Sequence, residues 1–306
     1  MTDTRLTDRR PIHGVAVDQG SGLEAALRDA RGDAARDEDL FRFKQIVART
    51  MSAEATTLLV DAHYGRELLP AIAPTCVPML AYEADVYKIS NEDRITVLPD
   101  NLKVSDYPGL GVNVLKFFLY YGPNDDSEIN ERKHDLVRRI GTECREHGVS
   151  FLFEPIVYDR AIPDGASAEF AAAKPELVER ATRRFADPEF NIDILKVELP
   201  VSLNFVEGLG APATSTREAE VAFARAAAAA GDTPLLYLSA GVTFEQFEAG
   251  LKLARAAGVN MAGFMCGRAI WSDAIAVFGA EGPEAAERWM ADEGLRRLGK
   301  LAEALA

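Results

Sequence analysis

The 306 residues suffice for one large barrel or two medium domains. Hydrophobic residues at 48% and charged residues at 27% exclude a wholly disordered chain and a membrane-spanning class. Acidic side chains outnumber basic ones by 48 to 34, and the resulting net charge of −14 repels phosphate backbones, so no nucleic acid partner is expected. A small anion is not excluded, because a local group of Lys, Arg and backbone N–H donors overcomes a distant, screened field.

The three cysteines, Cys76, Cys144 and Cys266, are widely spaced and odd in number. That is neither a disulfide framework nor a zinc pattern, and it points to a reducing cytoplasm. Residues 1 to 10 are polar and charged and read as a flexible N-terminal segment without a signal sequence. No run approaches 18 uninterrupted apolar residues, so no membrane partner is expected.

In chain order, short β-branched or aromatic runs predict strands at His13 to Gln19, Thr57 to Asp61, Pro78 to Glu83, Val114 to Tyr121, Ser150 to Tyr158, Asp193 to Val201, Leu235 to Gly241 and Met261 to Arg268. Helical spacing of apolar residues lies between them at 37 to 52, 66 to 72, weakly near Leu102, then at 127 to 147, 175 to 185, 216 to 230 and 243 to 257. A tail helix follows over 283 to 304. Gly148 and Gly258 read as helix stops. Eight strand and helix alternations in one chain of this length favour a closed α/β barrel, a single-domain (β/α)8 TIM barrel over 1 to 306 with an extra C-terminal helix.

Barrel strands are usually apolar on both faces, so charges inside them need a reason. Lys116 sits in Val-Leu-Lys-Phe-Phe, Glu154 in Phe-Leu-Phe-Glu-Pro, and Lys196 with Glu198 in Ile-Leu-Lys-Val-Glu-Leu. Strand alternation sends Leu195, Val197 and Leu199 to the helix layer and Lys196 and Glu198 into the barrel. Lys116 and Glu154 join them if their strands point the same way. Two ion bridges filling the barrel would explain such a set. The chemical alternative is an imine: desolvation and a neighbouring ammonium both favour the neutral, nucleophilic form of a lysine, and a carboxylate beside it moves protons.

The four histidines, His13, His63, His134 and His147, form no metal-binding pattern, and no metal or cofactor is expected. His134 and His147, on a polar helix, read as solvated. Ser239-Ala240-Gly241 and Cys266-Gly267-Arg268 end the last two predicted strands, where barrels often hold a phosphate. Two tight turns and a surface arginine are the plainer reading. Asp18 and Gln19 end the first strand, where they either face substrate hydroxyls or, for Asp18, cap the next helix. Asp61, His63 and Tyr64 follow the second strand, and Tyr82 and Glu83 end the third.

Taken together, Val-Asp-Gln at 17 to 19, Leu-Ala-Tyr-Glu at 80 to 83, Leu-Lys-Phe-Phe-Leu-Tyr-Tyr at 115 to 121, Phe-Glu-Pro at 153 to 155, Ile-Leu-Lys-Val-Glu-Leu-Pro-Val at 194 to 201, Tyr-Leu-Ser-Ala-Gly-Val at 237 to 242 and Cys-Gly-Arg-Ala at 266 to 269 resemble the tagatose 1,6-bisphosphate aldolase family. These are class I enzymes within the deoxyribose-phosphate aldolase-like superfamily. The resemblance implies a Schiff-base aldolase that cleaves a ketose 1-phosphate or 1,6-bisphosphate to dihydroxyacetone phosphate and an aldehyde. It implies Lys196 as the imine lysine, Glu154 as acid/base and Lys116 beside it. Ser239, Gly241, Gly267 and Arg268 would hold the phosphate, and Asp18 and Gln19 would line the pocket.

Two segments depart from the family pattern. Gly20 and Ser21 stand where an arginine commonly follows Asp-Gln, and Asp-Ala-His-Tyr-Gly follows the second strand in place of a proline and an acidic residue. The far terminus of the sugar therefore stays open among phosphate, sulfonate (a 6-deoxy-6-sulfofructose 1-phosphate aldolase) and an uncharged group. A sugar-phosphate sensor without catalysis is the alternative of a different class. Oligomeric state is not legible, although the tail helix offers a surface for a homo-oligomer.

Overall fold

All eight apolar runs form strands: β1 (Ile12–Ala16), β2 (Thr57–Val60), β3 (Val77–Ala81), β4 (Val114–Tyr121), β5 (Ser150–Val157), β6 (Ile194–Glu198), β7 (Leu235–Leu238) and β8 (Gly263–Cys266). In this computed structural model, which describes Leu6 and residues 11–85, 92–211 and 213–306, they pair in parallel in sequence order, and β8 closes on β1. The predicted runs extend past most of these strands because residues such as Asp18, Glu83 and Arg268 lie in the turns that follow.

Between the strands lie α1 (Ser21–Arg31), α2 (Asp39–Met51), α3 (Gly65–Leu68), α4 (Ser127–His147), α5 (Ala168–Phe185), α6 (Thr216–Ala229) and α7 (Phe244–Ala256). After β8 come α8 (Arg268–Trp271), α9 (Asp273–Glu281), α10 (Pro283–Trp289) and α11 (Leu295–Leu305). The side-chain oxygens of Asp126, Ser167, Ser215 and Thr243 accept backbone N–H bonds at the starts of α4 to α7, satisfying donors that have no helical partner. Gly148, at φ 68°, ends α4 as the sequence predicts.

Several expectations are corrected. The helix over 175 to 185 begins seven residues earlier, at Ala168, because Ser167 caps an alanine-rich turn of strong helix formers and Pro175 is held inside the helix. Helices α1, α8 and α9 are additions to the predicted set: α1 and α9 do carry apolar residues at helical spacing, burying Leu23 with Leu27 and Ala274 with Phe278, but over short stretches that the reading passed over, and α8 is a single turn. The tail is interrupted by a π turn over Met290–Gly294. Its last helix packs against α7 and buries Leu298, Leu301 and Ala304 within the chain. The flexible segment expected over 1 to 10 lies, apart from Leu6, outside the described residues. Leu6 itself is fully buried among the apolar side chains inside the barrel.

Alternation along the strands divides the interior into layers. Val114, Leu152 and Ile194 belong to an apolar floor at the N-terminal end of the barrel. Two residues further on, the same faces carry Lys116, Glu154 and Lys196, all less than 9% exposed. Leu195, Val197 and Leu199 face the helices, as predicted. Apolar packing thus closes the barrel from below and leaves the charged layer open only towards the C-terminal rim.

Helix α4 approaches the turn at Pro188–Phe190 so closely that a Cβ on Gly141 would run into the Phe190 carbonyl oxygen. Gly141→Ala should therefore lower stability by about 1–3 kcal/mol, as overpacking does, measured by urea unfolding. An unchanged midpoint would show that this contact yields easily.

Candidate active site

The C-terminal rim opens into a cavity of about 630 Å³ lined by Lys116, Glu154 and Lys196 together with Asp18, Gln19, Ser239, Gly267 and Arg268. Of the predicted site residues only Gly241 lies outside this lining. It borders the adjoining hollow at φ 82°, and a Cβ there would sit 3.2 Å from Nη2 of Arg268. A side chain there would crowd the guanidinium slightly, and the positive φ is what favours glycine at this position. Ala240, next to it, holds φ 49°, a left-handed conformation that costs most L residues energy. Gly267 is fixed by a different contact, since any Cβ would meet the Ala16 carbonyl oxygen that also accepts the Trp271 indole N–H at 2.9 Å. Ser239 is buried between these turns.

One carboxylate oxygen joins the two lysines. Glu154 Oε2 lies 2.9 Å from Lys196 Nζ and 3.0 Å from Lys116 Nζ. Lys116 also donates to Asp18 Oδ2 at 2.8 Å and to Glu83. Burial opposes charge on Lys116, but Asp18, Glu154 and Glu83 together raise its pKa well above the ordinary lysine value, so it stays an ammonium ion. Burial pushes the Asp18 carboxyl up, and attraction to Lys116, with Lys196 and the hydrogen bond from Lys116 adding to it, more than reverses this, holding it at about 2. For Glu83 burial prevails over Lys116, with Asp18 adding repulsion, and its pKa rises to about 7.

A carboxyl that titrates at about 7 in the folded chain, against 4.5 as its ordinary value, binds more protons folded than unfolded between those limits. Stability contributed by this group therefore falls as pH rises from 4.5 to 7. Glu83→Gln should flatten that slope, seen by comparing urea unfolding of both proteins at pH 5 and pH 8. An equal pH dependence in the two would contradict the assignment.

Some expectations change at the site. Glu198 lines the cavity, yet its carboxylate is directed to the Val157 N–H at 2.8 Å and to Lys174 of α5 at 3.2 Å, away from the two catalytic-candidate amines. Asp18 caps no helix; α1 begins instead with Ser21 N–H donating to Asp85 Oδ2 at 2.8 Å. Tyr82 points outward and packs edge-on to Tyr107, because it alternates with inward Glu83. His134 is buried, not solvated: its Nε2 lies 3.2 Å from the Tyr121 hydroxyl, and burial lowers its pKa. His147 is exposed as expected.

Sequence reading missed Lys44, which is 1% exposed on α2 and pairs with Asp61. Asp61 Oδ1 also accepts the backbone N–H groups of His63 at 2.9 Å and Tyr64 at 2.8 Å.

This arrangement has a family. The model of the DeoC/LacD family aldolases matches residues 13–273. The chain belongs to that family. Among its relatives, the tagatose 1,6-diphosphate aldolase of Staphylococcus epidermidis is 37% identical over 294 residues, covering 95% of this chain and 90% of the relative. One named tagatose 1,6-diphosphate aldolase 1, from Enterococcus faecalis, is 35% identical over 303 residues, covering 98% of this chain and 92% of the relative. The fold is similar to a Plasmodium falciparum fructose-bisphosphate aldolase, with TM-score 0.72 at 13% identity over 98% of this chain and 92% of that one. It is also similar to a Schiff base forming fructose-1,6-bisphosphate aldolase, with TM-score 0.62 at 16% identity over 99% of this chain and 100% of that one. At such identities these structures speak to the barrel alone, whereas family membership makes the chain an aldolase.

Proposed function

We propose that this aldolase cleaves a ketose 1-phosphate reversibly through an imine on Lys196, giving dihydroxyacetone phosphate and an aldehyde. The observation that carries the reading is the single Glu154 oxygen shared by two buried amines at the base of an open cavity. Glu154, which accepts from Lys196 Nζ at 2.9 Å, takes a proton from it; the freed amine attacks carbon 2 of the ketose, and Glu154 then returns that proton to the carbinolamine hydroxyl, which leaves as water. The iminium then draws the electron pair of the bond between carbons 3 and 4 into an enamine. The carbon 4 hydroxyl gives its proton to a carboxylate of the cavity, and the aldehyde leaves. Protonation at carbon 3 and hydrolysis return Lys196 and release dihydroxyacetone phosphate.

Lys116 acts as a fixed positive charge. Its ammonium stabilises alkoxide character at the oxygens undergoing proton transfer and orients Glu154 towards Lys196. The carbon 1 phosphate is assigned to Ser239, Gly267 and Arg268 at the ends of β7 and β8, with Gly241 in the turn beside the guanidinium. Asp18 and Gln19 face the sugar hydroxyls. A reducing cytoplasm suits the three buried free thiols, and no helix among the described residues is long and apolar enough to cross a membrane.

The direct test is release of dihydroxyacetone phosphate from ketose 1-phosphates by the purified protein in EDTA. Cleavage that persists in the chelator is expected, because the route uses no metal. Activity that disappears with EDTA and returns with a divalent ion would overturn it.

A further inference from the structure

The buried lysines of the cavity differ in how much of their hydrogen-bonding capacity the chain itself uses. Lys116 faces three carboxylates, Asp18 at 2.8 Å, Glu154 at 3.0 Å and Glu83, one for each N–H of its ammonium group. Lys44 is as deeply buried, at 1% exposure, yet among the described residues Asp61 alone accepts from it. The Tyr64 ring centroid lies 5.6 Å from Lys44 Nζ, which adds cation–π attraction but no acceptor oxygen. Two N–H donors of a buried ammonium are thus left over on a residue that lines the cavity.

Asp61 fixes where those donors stand. Its Oδ1 takes the backbone N–H groups of His63 and Tyr64, at 2.9 and 2.8 Å, which leaves Oδ2 for Lys44. The pair is neutral as a whole, so its field largely cancels at a distance and what it offers is directed donors at short range. Asp61 directly follows β2, and in the closed order of eight strands β2 stands opposite β6, which carries Lys196. Lys44 and Lys196 therefore line one cavity from opposite sides. A ketose joined to Lys196 at carbon 2, with its carbon 1 phosphate at the ends of β7 and β8, has its last carbons free to cross towards Lys44.

We infer that Lys44 is a specificity-determining residue of this aldolase, donating to an oxygen, hydroxyl or phosphate, on the last two carbons of the sugar, in the half that leaves as the aldehyde. The inference rests on the aldolase reading above and deepens it. A lysine that only ties α2 to the loop after β2 would make no distinction among aldehydes.

The test runs the reaction backwards, condensing dihydroxyacetone phosphate with propanal, glyceraldehyde and glyceraldehyde 3-phosphate. All three form the same bond, but propanal has no oxygen on the carbons in question. In Lys44→Met, kcat/KM for the two oxygenated aldehydes relative to propanal should fall by about tenfold or more, as loss of a hydrogen bond from a charged donor does. A larger fall with glyceraldehyde 3-phosphate places Lys44 on the phosphate; a fall no larger than with glyceraldehyde places it on a hydroxyl. An uncovered Asp61 would itself repel phosphate and strain the fold, so Lys44→Met combined with Asp61→Asn is measured alongside, and the fall should persist in it. A loss shared equally by propanal, or no loss in either variant, would overturn the inference and leave the aldolase reading standing. Condensation with none of the aldehydes by the parent protein, with Lys196 unmodified after borohydride, would overturn both.

Discussion

Lys196→Met is expected to lower cleavage of a ketose phosphate by roughly four orders of magnitude or more, as loss of a covalent nucleophile does. The fold should survive. Lys196 is 4% exposed, and the unbranched, apolar methionine fills the space its stem occupies. Glu154 keeps the Lys116 ammonium at 3.0 Å, so no carboxylate is left buried without a counter-charge. Circular dichroism and the urea midpoint should stay close to those of the parent while turnover vanishes. Normal turnover in a folded Lys196→Met protein would remove the imine from the mechanism.

Glu154→Gln should reduce kcat by about 10²–10⁴-fold, the range that positioned acid/base groups contribute, with a much smaller change in KM. The amide retains the size of the carboxyl and can still accept from one of the two amines, but it carries no transferable proton at neutral pH. Imine formation and hydrolysis both slow. Rapid-quench trapping with borohydride should show the adduct accumulating more slowly than in the parent. A variant that keeps its kcat would transfer the proton role to another carboxylate of the cluster, with Glu83 next in line because it titrates at about 7.

Much of the barrel was legible because its physical cause is local. The long apolar runs of β4 and β5, and the capped amphipathic α4, carry their period in consecutive residues. Lys116, Glu154 and Lys196 stood out for the same reason, since a charge in the middle of a barrel strand contradicts its surroundings. What escaped depends on contacts far apart in the chain. Lys44 sits among polar and apolar residues of α2 where a lysine reads as solvated, and only Asp61, 17 residues away, explains its burial. Asp85 takes its role from Ser21, 64 positions earlier. Glu198 followed the alternation rule but was diverted by Lys174 on the neighbouring helix. Strand alternation gives a side chain its face; it does not give it a partner.

The central claim is that carbonyl carbon bonds to Lys196. Borohydride added during turnover of a ketose 1-phosphate, followed by proteolysis and mass spectrometry, reads that bond directly. The account predicts a reduced, dihydroxyacetone phosphate-derived or ketose-derived adduct on the peptide containing Lys196 and none on the peptides containing Lys116 or Lys44. Unmodified Lys196 under turnover, or an adduct on Lys116 in its place, would contradict it.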